Sequence, residues 1–433
     1  MSQKLVPPDL TIDERALLHG EGGPALKFAM ELVVRAAAIM GAANLIESRF
    51  LHIDACHHYG LAHVDFARKL VRGGARFQIP AWTNTITVSL DGFDPRAQSG
   101  AGSDQAEARE LAGLYEAMGA RPVWTCAPYQ LPGGPGLGDQ IIVGESNAVA
   151  FYNAVVGART NKYGDFLDVA CGLVQRVPDA GLHRCENRRA ETVIDLSSLP
   201  EALKGTEFFC HVLGFYLGRI VGKDIPVIDG LPAATTKDSL KAIAAGAAAS
   251  GGVTMFHAVG LTPEAPTLSA ALQDHEPKTV IKPTPHDLIH ARDQLSPVKS
   301  GDLAMVALGT PHFSITEFAR LARGLEGRTI HPATRLYVST SRITAHLAKN
   351  QGFDEILHRA GVTVLTDTCT YFTPAVEGCR GRVMTNAAKW AYYAPGMLPV
   401  DVAFGSLDDC IESAVAGEVR RDPASWADSF WGA

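Results

Sequence analysis

The chain has 433 residues, of which 46% are hydrophobic and 20% are charged. This length exceeds one ordinary domain, and the low share of charged residues predicts a large core or an oligomer. The net charge of −7 and the lack of a long basic run argue against nucleic acid as a partner. The first residues contain no apolar segment typical of a signal peptide, so we expect a cytoplasmic protein.

The first part of the chain is predicted to alternate helices with short strands. A capping-box pattern, Thr11 with Glu14, opens the first helix. Strands are expected over 43–47, with His52 just beyond the strand end, and over 75–79. This alternation is typical of α/β proteins.

An uncharged stretch, 242–261, is long enough to span a bilayer. It consists mostly of alanine and glycine, however, and it contains His257 and the pair Gly251 and Gly252. We therefore interpret it as a helix that ends at the two glycines, followed by a strand over 253–256. No membrane-spanning segment is expected.

The C-terminal half of the chain predicts a parallel sheet. Strands are expected over 302–308, 336–339 and 362–365, with helices between them. One of these helices starts with a capping box formed by Ser314 and Glu317. Strands that alternate with helices at this spacing form βαβ units, and such sheets bind ligands at the carboxyl ends of their strands.

Eight cysteines occur without a CxxC pair, so a disulfide scaffold is not expected. Cys126 and Cys369 stand out because each follows a short apolar run that is predicted to be a buried strand, 121–124 and 362–365. Strand ends can bring distant residues together at the mouth of a sheet, and converging thiolates hold iron–sulfur clusters. Most of the other cysteines are expected to be small buried hydrophobic residues.

The segment 145–153 is rich in polar residues and begins a helix for which Ser146 is the predicted N-cap. The free N–H groups and the dipole of a helix start attract anions, so a substrate carboxylate would suit this position. An ordinary capped helix is the alternative. The density of nearby polar residues favours a binding site, because buried polar groups need partners. These residues are Glu145, Ser146, Asn147, Asn153, Arg159, Thr160 and Asn161.

Lys389 and His312 are further candidates. Lys389 lies among small and aromatic residues, where it covers apolar surface with its stem, binds a carboxylate, or acts as an acid or base with a lowered pKa. His312 follows a Thr-Pro turn and either orients a polar ligand or is a core histidine. A cluster over 52–58 permits a zinc site, although its spacing matches no standard zinc motif.

Six short motifs, each weak alone and specific in this order, resemble the aconitase X family, a divergent branch of the aconitase superfamily. The resemblance runs from about Leu10 to about Gly417, nearly the whole chain. The motifs are Thr125-Cys-Ala-Pro-Tyr129, Glu145-Ser-Asn-Ala-Val-Ala-Phe-Tyr-Asn153, Val156-Gly-Ala-Arg-Thr-Asn161, Gly309-Thr-Pro-His-Phe-Ser314, Asp367-Thr-Cys369 and Thr385-Asn-Ala-Ala-Lys389.

The resemblance implies an aconitase-like α/β fold of several lobes, with mainly parallel sheets flanked by helices and the active site in a cleft between lobes. The expected parts are a larger α/β lobe over 1–285, a doubly wound α/β lobe over 286–380, and a C-terminal segment over 381–433. The first part would contain Cys126 and the Ser146 helix, and the second would contain Cys369. The C-terminal segment would return Lys389 to the cleft.

The family's cluster cysteines fall on Cys126 and Cys369, and Thr310 occupies the position where many members have a third cysteine. The loss of this thiolate favours a 2Fe–2S cluster, with a 4Fe–4S cluster as the alternative. Cys379 would be a substitute ligand, but its surroundings resemble an exposed turn. Family members also carry a small swivelling domain with an active-site serine, so the resemblance implies a separate small subunit as partner.

The resemblance also implies that the chain removes water from a small hydroxy acid. Family members include cis-3-hydroxy-L-proline dehydratases in bacteria and mevalonate 5-phosphate dehydratases in archaea, and the threonine variant at Thr310 resembles the bacterial branch. We therefore expect a hydro-lyase that converts cis-3-hydroxy-L-proline into pyrroline-2-carboxylate. Mevalonate 5-phosphate is the alternative substrate, for which Arg159, Lys162 and Arg188 offer phosphate contacts.

We expect Lys389 and Glu145 to be the catalytic residues, and Lys389 to hold the substrate carboxylate together with the Ser146 helix start. An open iron site would bind the leaving hydroxyl as a Lewis acid. The expected substrate-binding residues are His52, Asn84, Ser146, Asn147, Asn153, Thr160, His312 and Ser314. Two other classes stay open: a metal-free binding or regulatory subunit, and an enzyme that uses Cys126 as a nucleophile.

Overall fold

A computed structural model of the chain describes residues 5–90, 103–371 and 380–433. Within these ranges the strands form four sheets, of two, three, four and five strands. Every strand pair is parallel except the pair in the two-stranded sheet. This architecture agrees with the predicted α/β chain of mainly parallel sheets.

Short strands and longer helices alternate along the described residues. The strands are β1 (Leu45–Glu47), β2 (Leu51–Ile53), β3 (Ala81–Thr83), β4 (Ile142–Val143), β5 (Arg176–Pro178), β6 (Thr192–Asp195), β7 (Pro226–Asp229), β8 (His257–Ala258), β9 (Thr279–Ile281), β10 (Met305–Leu308), β11 (Arg335–Thr340), β12 (Val362–Thr366), β13 (Gly381–Thr385) and β14 (Val400–Phe404). The helices are α1 (Ile12–His19), α2 (Pro24–Met40), α3 (Leu61–Arg72), α4 (Ser103–Ala117), α5 (Ser146–Phe151), α6 (Leu167–Val174), α7 (Glu201–Lys204), α8 (Glu207–Ile220), α9 (Lys237–Gly251), α10 (Leu268–Ala271), α11 (Pro285–Leu295), α12 (Ile315–Leu325), α13 (Arg342–Asn350), α14 (Phe353–Ala360), α15 (Ala388–Met397), α16 (Leu407–Ala416), α17 (Pro423–Trp426) and α18 (Asp428–Trp431).

Three parallel strands, in the order β3-β2-β4, form the sheet of the N-terminal part. The sequence predicts His52 just beyond a strand end, but His52 lies inside β2. The strand predicted over 75–79 does not form, and the strand in this region starts at Ala81 instead. This segment is hydrogen-bonded to the end of α4 and not to a strand, because the N–H of Phe77 donates to the carbonyl of Met118 at 2.9 Å.

The run 121–124 before Cys126 is also not a strand. Arg121 forms an isolated bridge with Trp82 of β3. Trp124 then has a φ of 42°, in the left-handed region, which interrupts the extended conformation. The chain therefore leaves the sheet at this turn and enters the loop that holds Cys126.

The four-stranded sheet, in the order β8-β7-β6-β9, is accompanied by the tightly packed helices α8 and α9. A Cβ added at Gly251 would lie 1.8 Å from the carbonyl oxygen of Gly218, so the glycines allow the two backbones to touch. The predicted strand over 253–256 does not form, and β8 starts at His257 instead. The carbonyl of Thr254 accepts a hydrogen bond from the Asn153 side chain and not from a neighbouring strand. No helix of the described residues is long and apolar enough to cross a membrane.

The five-stranded sheet has the order β12-β11-β10-β13-β14 and is parallel throughout. The predicted capping box of Ser314 and Glu317 opens α12, the helix that follows β10. Because the strands are parallel, the residues after β10, β12 and β13 meet at one edge of the sheet. These residues include His312, Cys369 and Lys389. Strands β13 and β14 belong to the predicted C-terminal segment, and the expected domain boundaries stay a prediction.

Candidate active site

A cavity of about 260 Å³ lies between residues that follow β2, β3 and β4 and residues that follow β12 and β13. Both parts of the chain that sequence analysis singled out therefore contribute to one space. The lining residues are Asp54, His57, Tyr59, Asn84, Thr85, Cys126, Gly144, Glu145, Ser146, Lys162, Tyr371, Lys389, Tyr393 and Met397.

Cys126, which lines this cavity, meets Cys369 and His312 in the adjoining interior of the protein. Their ligand atoms, two sulfurs and an imidazole nitrogen, all lie within 4.8 Å of one another, and all three residues are buried. The backbone N–H of His312 also donates to the Cys126 sulfur at 3.4 Å. The convergence of the two cysteines that the sequence predicted is thus present in the structure.

The two thiols have different acidities. Burial raises the pKa of the Cys126 thiol, but the hydrogen bond with Cys369, the charge of Lys389 and the His312 N–H outweigh burial and bring the pKa below its ordinary value. The same hydrogen bond, followed by burial, raises the pKa of Cys369 well above its ordinary value. Two buried thiolates repel each other, so a positive ion is needed to keep both deprotonated.

The imidazole of His312 has one nitrogen available for a metal. Its Nε2 lies 3.1 Å from the carbonyl oxygen of Thr368, which only accepts, so Nε2 carries the proton. Nδ1 therefore holds the lone pair, and the hydroxyl of Thr125 approaches it at 3.0 Å. Burial lowers the pKa of His312 to about 4, which keeps the ring neutral.

This donor set fits the predicted iron–sulfur cluster. Iron–sulfur clusters are held by cysteine thiolates, and histidine replaces cysteine in some of them. Thr310 is buried and its hydroxyl has no hydrogen-bond partner among the described residues, but the third donor near the two sulfurs is His312. Cys379 lies outside the described residues. The cluster over 52–58 does not form a metal-donor group within the described chain.

Lys389 and Glu145 form a buried ion pair at the cavity wall. Burial raises the pKa of Glu145, but the charge of Lys389 lowers it, and the resulting pKa lies below the ordinary value of a glutamate. Burial lowers the pKa of Lys389, but the charge of Glu145 raises it, and the resulting pKa lies above the ordinary value of a lysine. Both groups are therefore charged. Glu145, not Ser146 as predicted, is the N-cap of α5, because its longer side chain reaches the Ala148 N–H at 2.6 Å.

Asn84 and Ser146 reach the cavity as predicted. The Asn84 Nδ2 donates to the Asp54 Oδ1 at 2.6 Å. The Ser146 hydroxyl lies 3.3 Å from a Glu145 oxygen and 3.4 Å from the Lys389 nitrogen. Both side chains are thus hydrogen-bonded to ionisable groups that line the cavity.

His52 and Asn147 support the cysteine loop and do not line the cavity. The Nε2 of His52 lies 2.9 Å from the Thr125 carbonyl oxygen. The Nδ2 of Asn147 donates to the carbonyl of Cys126 at 2.9 Å. Both side chains therefore contact the backbone of the loop that holds Cys126, and their expected substrate-binding role stays a prediction.

Asn153, Thr160 and Ser314 make contacts elsewhere in the fold and do not line the cavity, and their expected substrate-binding role stays a prediction. Asn153 bonds to the backbone of Thr160 and to the buried guanidinium of Arg188. Ser314 caps α12 and donates to Asp238 at 2.9 Å. The polar motif that suggested substrate contacts therefore compensates buried polar groups of the fold.

Sequence analysis missed two kinds of cavity residue. Asp54 was noted within a metal-like cluster, but its position after β2 is what directs it to the cavity. Tyr371 and Tyr393 were not identified as site residues. A signal existed for both, because Tyr371 is two residues after Cys369 and Tyr393 is one helical turn after Lys389.

Comparisons with known proteins give the family of the chain. The models of the aconitase X first, second and third domains match residues 8–186, 190–293 and 303–416. The chain is 40% identical over 422 residues to a cis-3-hydroxy-L-proline dehydratase of Pseudomonas aeruginosa, with 97% of this chain and 72% of the relative covered. A protein of the same name from Hypocrea jecorina is 38% identical, with 94% and 69% covered.

Two further matches come from Thermococcus. The phosphomevalonate dehydratase large subunit of Thermococcus kodakarensis is 31% identical, with 89% of this chain and 94% of the relative covered. The crystal structure of Thermococcus kodakaraensis aconitase X in its holo-form has a TM-score of 0.84 at 29% identity, covering 94% of this chain and all of that chain. The predicted fold class is confirmed. The chain belongs to the aconitase X family.

Proposed function

We propose that this protein dehydrates cis-3-hydroxy-L-proline to pyrroline-2-carboxylate. The relatives at 38% and 40% identity are named for this reaction, and those named for phosphomevalonate are more distant. The class of enzyme, a dehydratase of the aconitase X family, is common to all of these relatives. A non-catalytic binding subunit, one of the alternatives, is therefore disfavoured.

One observation carries the proposal: Cys126, one of two adjacent buried cysteines, lines the same cavity as a buried lysine–glutamate pair. Cys126, Lys389 and Glu145 all line this space, and Cys369 lies against Cys126. Elimination of water from a 3-hydroxy acid requires a group that polarises the leaving hydroxyl, a cation for the carboxylate, and a base for the Cα proton. Lys389 and Glu145 offer the cation and the base, and the two cysteines would hold the metal that polarises the hydroxyl.

An iron–sulfur cluster is the proposed cofactor. Cys126, Cys369 and His312 would hold it, and two thiolates with one imidazole favour a 2Fe–2S cluster over 4Fe–4S. Bound there, its iron supplies Lewis acidity toward the substrate hydroxyl. A chain that used Cys126 as a nucleophile would instead be inactivated by alkylation in the absence of iron.

The protein side chains have separable tasks. Lys389 stays protonated, so it binds the substrate carboxylate and does not act as a base. Glu145 is ionised and lies beside it, so Glu145 is the member of the pair that can accept a proton. In the overall reaction, a base accepts the Cα proton and the C3 hydroxyl leaves as water. The organic product is an enamine, which tautomerises to pyrroline-2-carboxylate.

The charges of the cavity favour an amino acid over a phosphorylated acid. Two basic residues, Lys162 and Lys389, and two acidic residues, Asp54 and Glu145, line it. This balance suits a zwitterion, whereas mevalonate 5-phosphate carries only negative charge at neutral pH. Of the other predicted phosphate contacts, Arg188 is committed to Glu264, at 2.9 Å between Nε and Oε2.

A small swivelling subunit that adds an active-site serine is the proposed partner. The hydroxyproline dehydratase relatives are longer than this chain, which covers 72% of one and 69% of the other. The Thermococcus relative that matches in length is named a large subunit. Nucleic acid is not expected as a partner, and a cytoplasmic location is part of the same proposal.

The direct test is turnover by the chain co-expressed with a candidate small subunit and purified without oxygen. We expect water loss from cis-3-hydroxy-L-proline, followed as formation of pyrroline-2-carboxylate, and no reaction with mevalonate 5-phosphate. Turnover of the phosphorylated substrate alone would replace the proposed substrate. Activity of a colourless, iron-free preparation would overturn the role of the cluster.

A further inference from the structure

The carboxylate of Asp54 occupies a defined position on the cavity wall. Its Oδ1 accepts the short hydrogen bond from Asn84, and it follows β2 directly. Gly144, which directly follows the neighbouring strand β4, faces it, and a Cβ at that position would lie 2.5 Å from the Asp54 Cβ and 3.2 Å from its Oδ2. The absence of a side chain at Gly144 therefore leaves room for the carboxylate beside the cavity.

The backbone of Asp54 is held from behind by a second acidic residue. The Oδ2 of Asp168 accepts the N–H groups of Asp54 and Ala55, at 2.8 and 3.2 Å. Asp168 is completely buried and also accepts the N–H of Val169 at 2.7 Å. Such a network fixes the turn after β2, so Asp54 presents its carboxylate with little freedom to move.

No basic side chain of the described residues forms an ion pair with Asp54, whereas Glu145 is paired with Lys389. Burial, together with the charges of Glu145 and Asp165, raises the pKa of Asp54 to about 7. The Asn84 hydrogen bond and Lys389 oppose it without cancelling it. A carboxylate in this situation gains from a cation brought by a ligand.

The neighbouring wall of the cavity is aromatic. Tyr59, Tyr371 and Tyr393 line it, and the rings of Tyr371 and Tyr393 lie 6.5 Å apart. Tyr59 is 66% exposed and covers the entrance side next to His57. Aromatic faces attract cations and also pack against aliphatic rings. A small ring with a positive charge is complementary to this wall.

We propose that Asp54, positioned by Asn84 and Asp168, binds the secondary ammonium group of a cyclic amino acid and thereby selects amino acids over nitrogen-free hydroxy acids. This inference rests on the proposed function. The carboxylate of the same ligand is bound by Lys389, so the two ends of the zwitterion are recognised by oppositely charged residues on the cavity wall. Asp54 is then a specificity residue, separate from the elimination chemistry.

The test compares two unreactive probes by calorimetry on the protein as isolated, with any co-purifying subunit and metal retained. L-Proline carries the ammonium group and lacks the 3-hydroxyl, whereas cyclopentanecarboxylate carries neither. We expect Asp54→Asn to weaken L-proline binding by about 10- to 100-fold, the size of a charged hydrogen bond, and to leave cyclopentanecarboxylate binding within about threefold of the wild type. Asp65→Asn, at an exposed aspartate of α3, is the matched control and should change neither.

Unchanged L-proline affinity in Asp54→Asn, or an equal loss for both probes, would overturn the inference. If that variant fails to fold, Asn84→Ala serves instead, because it keeps the Asp54 charge but removes the bond that orients it. We expect a smaller loss, of about threefold to tenfold, again for L-proline alone. The proposed function is judged separately by turnover: wild-type protein that binds L-proline through Asp54 but does not dehydrate hydroxyproline would refute the reaction and not the ammonium site.

Discussion

The Glu145–Lys389 pair illustrates, at the scale of single residues, how the cavity obtains charged groups away from water. Each of these charges would be costly alone in a buried position, and each is kept ionised by the other. Glu145 has a second task, because it also caps α5 through the Ala148 N–H. A change at this residue therefore affects both the local structure and the reaction.

We expect Glu145→Gln to lose activity and stability together. The substitution leaves the Lys389 ammonium buried without its counter-charge, which costs about 3–5 kcal/mol in buried pairs. The kcat should fall by at least about 100-fold, as for removal of a general acid or base. Steady-state kinetics and urea unfolding measure the two effects, with Ser146→Ala as a milder control. Wild-type kcat and stability in Glu145→Gln would contradict the assignment.

The raised pKa of Asp54 predicts a pH-dependent stability. The folded-state value of about 7 lies above the ordinary value of 3.8, so the folded chain retains a proton that the unfolded chain releases. This contribution stabilises the fold at low pH and is lost as the pH rises through 7. Asp54→Asn should therefore gain stability relative to wild type between about pH 5 and about pH 7.5, by about 1–3 kcal/mol in metal-free protein. An identical stability difference at both pH values would refute it.

The sequence could indicate Cys126 and Cys369 because each follows a short apolar run, and Glu145 and Lys389 because they belong to the family motifs. It could not assign partners. Asn153 belongs to the same motif as Glu145, yet it satisfies buried groups of the fold. Which polar residue faces a cavity depends on the turn that carries it, and composition does not encode that turn.

The contact between α8 and α9 is the clearest packing feature at the scale of elements. Glycines on both helices remove the side chains that would separate them, as at Gly214 against Ile243. The same alanine and glycine content gave the stretch 242–261 its resemblance to a membrane span. The capping boxes at Thr11 and Ser314 were predictable from the sequence. The two- and three-residue strands were not, because tertiary contacts decide whether such short runs join a sheet.

Gly214→Ala should destabilise the protein by about 2 kcal/mol. The added Cβ would lie 2.6 Å from the Ile243 carbonyl oxygen, and this overpacking outweighs the gain in helix propensity. Gly113→Ala in α4 is the matched control, since nothing lies within 4 Å of its added Cβ, and it should stabilise by about 0.5–1 kcal/mol. Thermal unfolding of both variants decides the point, and equal effects would contradict the packing argument.

At the scale of the whole molecule, the cavity is assembled from the two halves of the sequence. Cys126 and Glu145 come from the N-terminal part, whereas Cys369 and Lys389 follow strands of the five-stranded sheet. The family resemblance predicted this convergence, but distances between such remote segments are fixed by the complete fold. The proposed third donor to the cluster shows the difference, because the family motif pointed to Thr310 and the fold brings His312 to the sulfurs.

The account depends on Cys126 and Cys369 holding one iron–sulfur cluster in the cavity. The most direct measurement is the visible absorption spectrum, with iron and sulfide content, of protein purified without oxygen as wild type, Cys369→Ala and Cys410→Ala. Cys410 is equally buried but belongs to a different part of the core. We predict coloured, iron-containing wild type and Cys410→Ala, and loss of both colour and iron in Cys369→Ala. A colourless, iron-free wild type that still dehydrates its substrate would contradict the account.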